Sequence, residues 1–360
     1  MSDKLHPRYR HFASHQDYVK MGSSYRPFQM YVNETDYVSG SANTDGHGLR
    51  VQHKQNGVIL DLESCHYGIY DIMVGGSSVF GVDASSDCST LPACLSRGGI
   101  DCLNWGIRGA GSQQELHAFL NFKRWVPNIR NVIIFSGVNL CSLATLPSVM
   151  IYPDQGALFS EEHYLNQALG GLRSAAEHQI FRDKLARLSR RAINAYCRNS
   201  WIRCLLKQFS PKLRNETRSG QIPLRNVTGF SKRVQSLINL LKNELATWAS
   251  LACGMNFKLT YILQPAINWT RKPLSSVEAE CFEEDVRLYP EMLQFANRDF
   301  HSSYALMISN ICMKNGIRFF DANQCFDISS SSETLFTDVC HLSDQGNEFL
   351  AKGLMEALSF

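Results

Sequence analysis

The sequence predicts an α/β fold in three layers, α/β/α, around a central parallel sheet of five strands. Short segments that are apolar throughout alternate with segments whose apolar residues recur at helical spacing. A strand that is apolar at every position is typical of a sheet covered by helices on both faces. A chain of 360 residues is long enough to bury such a core in one large domain or two.

The elements of this fold follow one another along the second part of the chain. The predicted strands are residues 70–74, 100–104, 131–136, 258–263 and 317–321. Helical spacing of apolar residues predicts helices over 111–126, 231–253 and 343–358. A further helix begins after Ser275, because Ser275 and Glu278 have the spacing of a capping box.

Two regions lie outside this alternation. Residues 1–67 contain short β-prone segments on either side of a turn-rich stretch at 39–48, and they predict a β-rich N-terminal extension. Residues 68–360 then form the main domain. Within it, residues 140–230 are helical and basic and interrupt the strand–helix rhythm, so we expect an insertion there.

The insertion contains a concentration of positive charge. Residues 180–235 include fourteen Lys or Arg and only two acids. One interpretation is a solvated helical face or a mobile loop; the other is a docking surface for an anionic partner such as an acidic carrier protein. No recognised nucleic-acid-binding motif accompanies the charge, so no nucleic acid partner is expected.

Composition and cysteine spacing indicate the expected cellular compartment and whether a metal site is expected. No apolar run reaches the roughly 18 residues of a membrane span, and the polar N-terminus lacks a signal peptide, so we expect a cytoplasmic protein with reduced cysteines. Cys88, Cys94 and Cys102 have no nearby histidine at metal-ligand spacing. We therefore expect no metal and no cofactor.

The residues with the clearest chemistry lie far apart in the sequence. Asp338 precedes His341 by three residues, a spacing at which a carboxylate can orient an imidazole as a general base. Ser77 follows a predicted strand and two glycines, which suits a tight strand-to-helix turn that exposes its hydroxyl group.

Two other strand ends provide hydrogen-bond donors. Gly109 follows the second strand, where a glycine allows the backbone N–H to approach a substrate oxygen closely. Asn139 follows the third strand and can donate from its amide into the same crevice. Trp105 and Arg108 belong to the loop of Gly109 and are candidates for substrate contact, against the alternative of a packing or surface role.

These segments occur in a fixed order that resembles the SGNH (GDSL-like) hydrolase superfamily. Its four blocks correspond to 75–81, 104–109, 137–139 and 338–341, and the resemblance covers roughly residues 68–140 and 255–360. It implies that Ser77 is the nucleophile, His341 the general base and Asp338 its orienting acid. It also implies an oxyanion hole made by the backbone N–H groups of Ser77 and Gly109 and the amide of Asn139.

The chain departs from the family pattern at two positions. Gly76 stands where the first block usually has aspartate, which puts in question how firmly the nucleophile turn is held. Leu140 stands where the third block usually has aspartate after the asparagine, so the support of Asn139 is expected to differ.

Three functions are compatible with these features. The first is a serine esterase or deacylase that acts on a small-molecule or carbohydrate ester, or on a natural product. The second is an acyltransferase that uses the same acyl-enzyme with an alcohol or amine acceptor, and a carrier-bound donor would dock on 180–235. The third is a non-catalytic interaction protein, which the intact Ser, His, Asp, Gly and Asn set opposes.

Overall fold

A computed structural model describes residues 6–26, 29–53, 59–145, 229–330 and 332–358. The strands within these ranges are β1 (Ser23–Arg26), β2 (Met30–Asn33), β3 (Gln52–His53), β4 (Ile59–Leu60), β5 (Ile69–Gly75), β6 (Cys102–Gly106), β7 (Asn128–Ser136), β8 (Lys258–Leu263) and β9 (Arg318–Asp321). The α-helices are α1 (Arg8–His11), α2 (His15–Lys20), α3 (Ser77–Phe80), α4 (Leu91–Arg97), α5 (Ser112–Phe122), α6 (Val138–Thr145), α7 (Phe230–Met255), α8 (Ser276–Leu288), α9 (Arg298–Lys314) and α10 (Asp344–Leu358).

Strands β5 to β9 form one parallel sheet in the order β6-β5-β7-β8-β9. The strand order therefore reverses between β5 and β7. In open parallel sheets, ligands bind beyond the carboxyl ends of the strands at such a reversal. The predicted fold class is confirmed: helices cover both faces of a five-stranded parallel sheet.

The apolar residues of the strands fill a core on each face of the sheet. On one face, Met73 and Ile262 belong to a buried cluster with Leu95 of α4 and Leu350 of α10. On the other face, ring contacts link β6, α5 and α7 through Trp105, Phe119 and Trp248, with 6.1 Å and 4.8 Å between successive ring centroids. Burial on both faces explains why the strand sequences are apolar at nearly every position.

The N-terminal extension combines short strands with short helices. Strands β1 and β2 pair antiparallel, as do β3 and β4, while α1 and α2 precede them. The sequence did not predict α1 and α2, because helices of four and six residues are too short to show a periodicity. The boundaries proposed for the extension at 1–67 and for the insertion at 140–230 stay predictions. Most of the insertion lies outside the described residues.

The side chain of Arg50 joins the extension to the turn that follows α3. Its guanidinium is fully buried and donates to Asp87 (2.8 Å), the hydroxyl of Tyr18 (2.8 Å) and the carbonyls of Phe80 (2.8 Å) and Gly81 (2.9 Å). A buried cation is tolerated only when its donors are satisfied in this way. Arg50 therefore holds the extension against the segment that carries Ser77.

No helix in the described part of the chain combines the length and the hydrophobicity needed to cross a membrane.

Arg50→Met should lower the free energy of unfolding by about 3–5 kcal/mol, because Asp87 loses its buried cationic partner and two carbonyls lose their donor. Urea unfolding followed by circular dichroism measures the change. Arg271→Met is the matched control, since the Arg271 side chain is 77% exposed and lies 3.9 Å from Asp327. We expect about 0–1 kcal/mol there. Equal effects of the two substitutions would contradict the role given to Arg50.

A second prediction concerns Glu115, which is buried in α5 and accepts a hydrogen bond from Ser136 Oγ at 2.8 Å. Burial raises the pKa of this carboxyl group to about 8, and the nearby Glu244 adds to the rise. The folded protein thus holds a proton that the unfolded chain releases near pH 4.5. The contribution of Glu115 to the free energy of unfolding should therefore fall as the pH rises from about 4.5 to about 8.

The amide introduced by Glu115→Gln stays neutral at both pH values. The free energy of unfolding of this variant relative to the parent protein should therefore be higher at pH 9 than at pH 5. Urea unfolding at the two pH values measures this difference. The exposed Glu356→Gln serves as the control. A stability difference between Glu115→Gln and the parent that does not change with pH would contradict the burial of a protonated carboxyl group.

Candidate active site

The candidate residues meet at the carboxyl edge of the sheet. Ser77 is the first residue of α3, directly after β5, and Asn139 is in the first turn of α6, directly after β7. They flank the point where the strand order reverses. Gly109 follows β6, the strand that pairs with β5 on the side away from β7. His341 comes from the loop before α10, which reaches the same edge.

A continuous hydrogen-bond chain links three side chains. Ser77 Oγ lies 2.6 Å from His341 Nε2, and His341 Nδ1 lies 2.5 Å from Asp338 Oδ2. When Nδ1 donates to the carboxylate, Nε2 is left as the acceptor for the serine proton. The Asp338 side chain is 6% exposed and that of His341 is 15% exposed, so His341 is the more accessible of the pair. This arrangement can activate a hydroxyl group as a nucleophile.

The Asp338–His341 loop is held by its own backbone. Asp338 Oδ1 accepts the N–H groups of Cys340 (2.9 Å) and His341 (2.7 Å), and Thr337 N–H donates to the carbonyl of His341 (2.9 Å). Ser78 Oγ donates to the carbonyl of Cys340 at 3.1 Å. Ser78, the residue after Ser77, therefore connects α3 to the loop that carries His341.

The charge state of Asp338 depends on a residue that sequence reasoning missed. Burial opposes ionisation of Asp338, but the positive charges of Arg8 and His341 outweigh burial and hold its pKa well below the usual range. Arg8 Nη1 lies 2.7 Å from Asp338 Oδ2. Nothing in the sequence around Arg8 indicates this contact, because the two residues are separated by almost the whole chain.

The donors expected around an oxyanion lie on segments that follow strands of the sheet at this edge. The N–H of Ser77 is at the N-terminus of α3, where no intrahelical acceptor exists, and the first bond of this turn runs from Phe80 N–H to the carbonyl of Gly76. Gly109 has a φ of +72°, a conformation that glycine adopts without strain. Asn139 Nδ2 donates to the carbonyl of Ala110 at 2.6 Å, and its second amide hydrogen is available for another acceptor.

Glycine at position 76 has a steric reason. A Cβ atom at position 76 would lie 2.5 Å from Asn139 Nδ2, which is closer than side chains pack. The amide of Asn139 therefore occupies the space that a side chain at position 76 would need. Leu140, next to Asn139, is buried in α6 and packs in the interior, while Asn139 is held by the carbonyl of Ala110.

Trp105 and Arg108 make their contacts within the protein. Trp105 is 2% exposed and packs against Phe119, because it lies in β6 and faces α5. The guanidinium of Arg108 donates to the carbonyls of Tyr18 (2.8 Å) and Met21 (2.8 Å) in the N-terminal extension. These contacts favour the packing role for both residues, and neither is retained as a candidate for substrate binding.

Among the described residues, Asp338, Cys340 and His341 bring potential metal ligands within 4.8 Å of one another. Their contacts do not suit a metal ion. Both ring nitrogens of His341 are hydrogen-bonded, and Arg8 lies against Asp338. Burial also raises the pKa of the Cys340 thiol well above its usual range, which disfavours the thiolate that binds metals.

Comparison with known proteins gives little further information. Neither the protein-family models nor the curated proteins contain a match to the sequence. Among solved structures, the chain is similar to an acetyl xylan esterase, AlAXEase, with a TM-score of 0.39 and 12% sequence identity over 81% of this chain and 100% of the other. A similarity this distant does not identify an activity.

Gly76→Ala tests the placement of the Asn139 amide. The added methyl group should displace the amide and slow the hydrolysis of an activated ester such as 4-nitrophenyl acetate about 10²-fold, the usual effect of losing one oxyanion donor. Gly254→Ala is the control, because an added Cβ there meets no atom within 4 Å. Initial rates and circular dichroism are measured for both variants. Undiminished hydrolysis by a folded Gly76→Ala variant would contradict the placement.

Proposed function

We propose that the protein is a serine hydrolase of the SGNH type that cleaves an ester through an acyl-enzyme on Ser77. The observation that carries this proposal is the hydrogen-bond chain from Ser77 Oγ through the imidazole of His341 to Asp338, with successive distances of 2.6 Å and 2.5 Å. The order of the four sequence blocks supports the same assignment.

In the first half of the reaction, Ser77 Oγ attacks the carbonyl carbon of the ester while His341 Nε2 accepts the hydroxyl proton. Asp338 accepts a hydrogen bond from Nδ1 and stabilises the imidazolium that forms. When the tetrahedral intermediate collapses, the C–O bond to the alcohol breaks and His341 gives its proton to the leaving oxygen. The acyl group is then an ester of Ser77.

In the second half, His341 takes a proton from a water molecule that attacks the acyl carbon. Collapse of this second intermediate returns the proton to Ser77 and releases the carboxylic acid. In both halves the negative charge on the carbonyl oxygen is stabilised by the N–H groups of Ser77 and Gly109 and the amide of Asn139. Their position at the carboxyl edge of the sheet supports this role.

The substrate class we propose is a small-molecule or carbohydrate ester, with water as the acyl acceptor. The acyltransferase alternative uses the same acyl-enzyme, and the basic segment at 180–235 that favours it slightly lies almost entirely outside the described residues. No described contact favours a carrier-bound donor. Adding a panel of alcohols and amines to the ester assay distinguishes hydrolysis from acyl transfer. An acyltransferase would form esters or amides of these acceptors in place of the carboxylic acid.

Ser77→Ala should reduce the turnover of 4-nitrophenyl acetate by at least about 10³-fold while the fold is retained, because the nucleophile is removed. The release of nitrophenolate measures the rate. Ser86→Ala, outside the hydrogen-bond chain, is the control. Equal turnover by Ser77→Ala and the parent protein would reject the proposed function.

A further inference from the structure

We propose that Arg8 is a positioning residue of this active site, acting on His341 through the carboxylate of Asp338. The inference rests on the proposed function and assigns a part of the catalytic apparatus to the N-terminal extension. Arg8 itself touches neither Ser77 nor any group that reacts.

The contact is made at the oxygen that also orients the histidine. Asp338 Oδ2 receives Arg8 Nη1 at 2.7 Å and His341 Nδ1 at 2.5 Å. The imidazole and the guanidinium therefore meet at one carboxylate oxygen. Because Oδ1 is occupied by two backbone N–H groups, the carboxylate cannot rotate without breaking several hydrogen bonds. The ion pair with Arg8 completes the set of contacts that fixes the carboxylate against the imidazole.

The other side of the guanidinium is anchored on Asp83. Arg8 Nε and Nη2 both lie within hydrogen-bond distance of Asp83 Oδ2, at 3.0 Å and 2.5 Å. Asp83 is also bound by His15 Nδ1 (2.7 Å) and by the hydroxyl of Thr337 (2.7 Å), the residue before Asp338. The Arg8 side chain is 13% exposed, so the planar guanidinium is held between two carboxylates in a largely dry setting.

The position of Arg8 has an electrostatic consequence for the base. Asp338 stabilises the imidazolium, which favours a protonated histidine that cannot accept a proton from Ser77. A cation on the same carboxylate oxygen partly cancels this field. Arg8 thus lets Asp338 orient His341 while limiting the attraction between the carboxylate and the charged imidazole.

Other titratable groups face this cluster and enter its pH dependence. His15 and Asp83 lie on one side. Burial alone would raise the pKa of Asp83, but the positive charge of Arg8 outweighs burial and lowers this pKa to about 2. On the other side, His6 Nε2 lies 3.2 Å from Asp285 Oδ1, and burial together with Asp338 raises the pKa of Asp285 to about 7. Other charged groups near α1 are Glu284, which acts on His6, and Glu280, which pairs with Arg10 and His11. The thiols of Cys281 and Cys340 are also close to this cluster.

The test compares Arg8→Met with Arg10→Met. Both remove one positive charge from α1, but the Arg10 side chain is 59% exposed and pairs with Glu280, away from Asp338. In Arg8→Met, the titration midpoint of the His341 ring protons in NMR spectra should move up by roughly one pH unit. The acid limb of kcat/KM should move by the same amount, so the loss of activity is roughly tenfold on the acid side of the midpoint and smaller on its alkaline side. Arg10→Met should show neither change.

The same comparison in an Asp83→Asn background separates positioning from mere stability. If Arg8 served only to neutralise Asp83, Arg8→Met would have no further effect there, and that result would overturn the proposal. A His341 titration unchanged by Arg8→Met would also overturn it. Arg8→Lys keeps a charge near Asp338 and should restore most of the parent titration. Because the NMR titration needs no substrate, it tests Arg8 even if no ester is hydrolysed, and an Asp285→Asn background removes the titration of the neighbouring Asp285, whose pKa is about 7.

Discussion

The carboxylate of Asp338 is the constraint on which the candidate site depends. It accepts three hydrogen bonds, two from the backbone of its own loop and one from the imidazole of His341, and it forms an ion pair with Arg8. These bonds set the shape of the loop, the tautomer of the histidine and the direction in which Nε2 points. A carboxylate so thoroughly bound stays ionised although it is buried, and an ionised carboxylate is what the imidazolium of an acyl-transfer reaction requires.

The sheet brings this loop to its nucleophile. Parallel strands end at one edge, and the reversal of strand order between β5 and β7 opens a crevice there. Ser77 and Asn139 come from the two strands that border the crevice, so a nucleophile and an amide donor are placed together by topology alone. The close approach of Asn139 to Gly76 shows how little room remains, since even a methyl group at position 76 would collide with the amide.

The sequence predicted much of this arrangement because the relevant signals are local. Strand β8 has the predicted bounds, and the capping box at Ser275 and Glu278 opens α8 as expected. Short motifs point to Ser77, Asp338 and His341, and the structure places His341 within hydrogen-bond distance of both Ser77 and Asp338. Local patterns succeed here because strand periodicity, helix caps and strand-to-helix turns are each determined by a few neighbouring residues.

What the sequence could not indicate is long-range pairing. Arg8 and Asp338 are 330 positions apart, and no pattern marks an arginine in a four-residue helix as the partner of an acid at the other end of the chain. Its position in the sequence makes Trp105 a candidate for substrate contact or for packing, and the structure places it in β6 with its ring against Phe119. Which face of a strand end is buried depends on the helix that packs there, and this is a tertiary property.

Labelling with a fluorophosphonate tests the central claim most directly. Such a reagent forms a stable bond only with a serine whose proton is removed by a neighbouring base. Intact-protein mass spectrometry followed by peptide mapping should show one adduct per chain on Ser77, and His341→Ala should abolish it. An adduct on a different residue, or equal labelling of Ser77 without His341, would contradict the account.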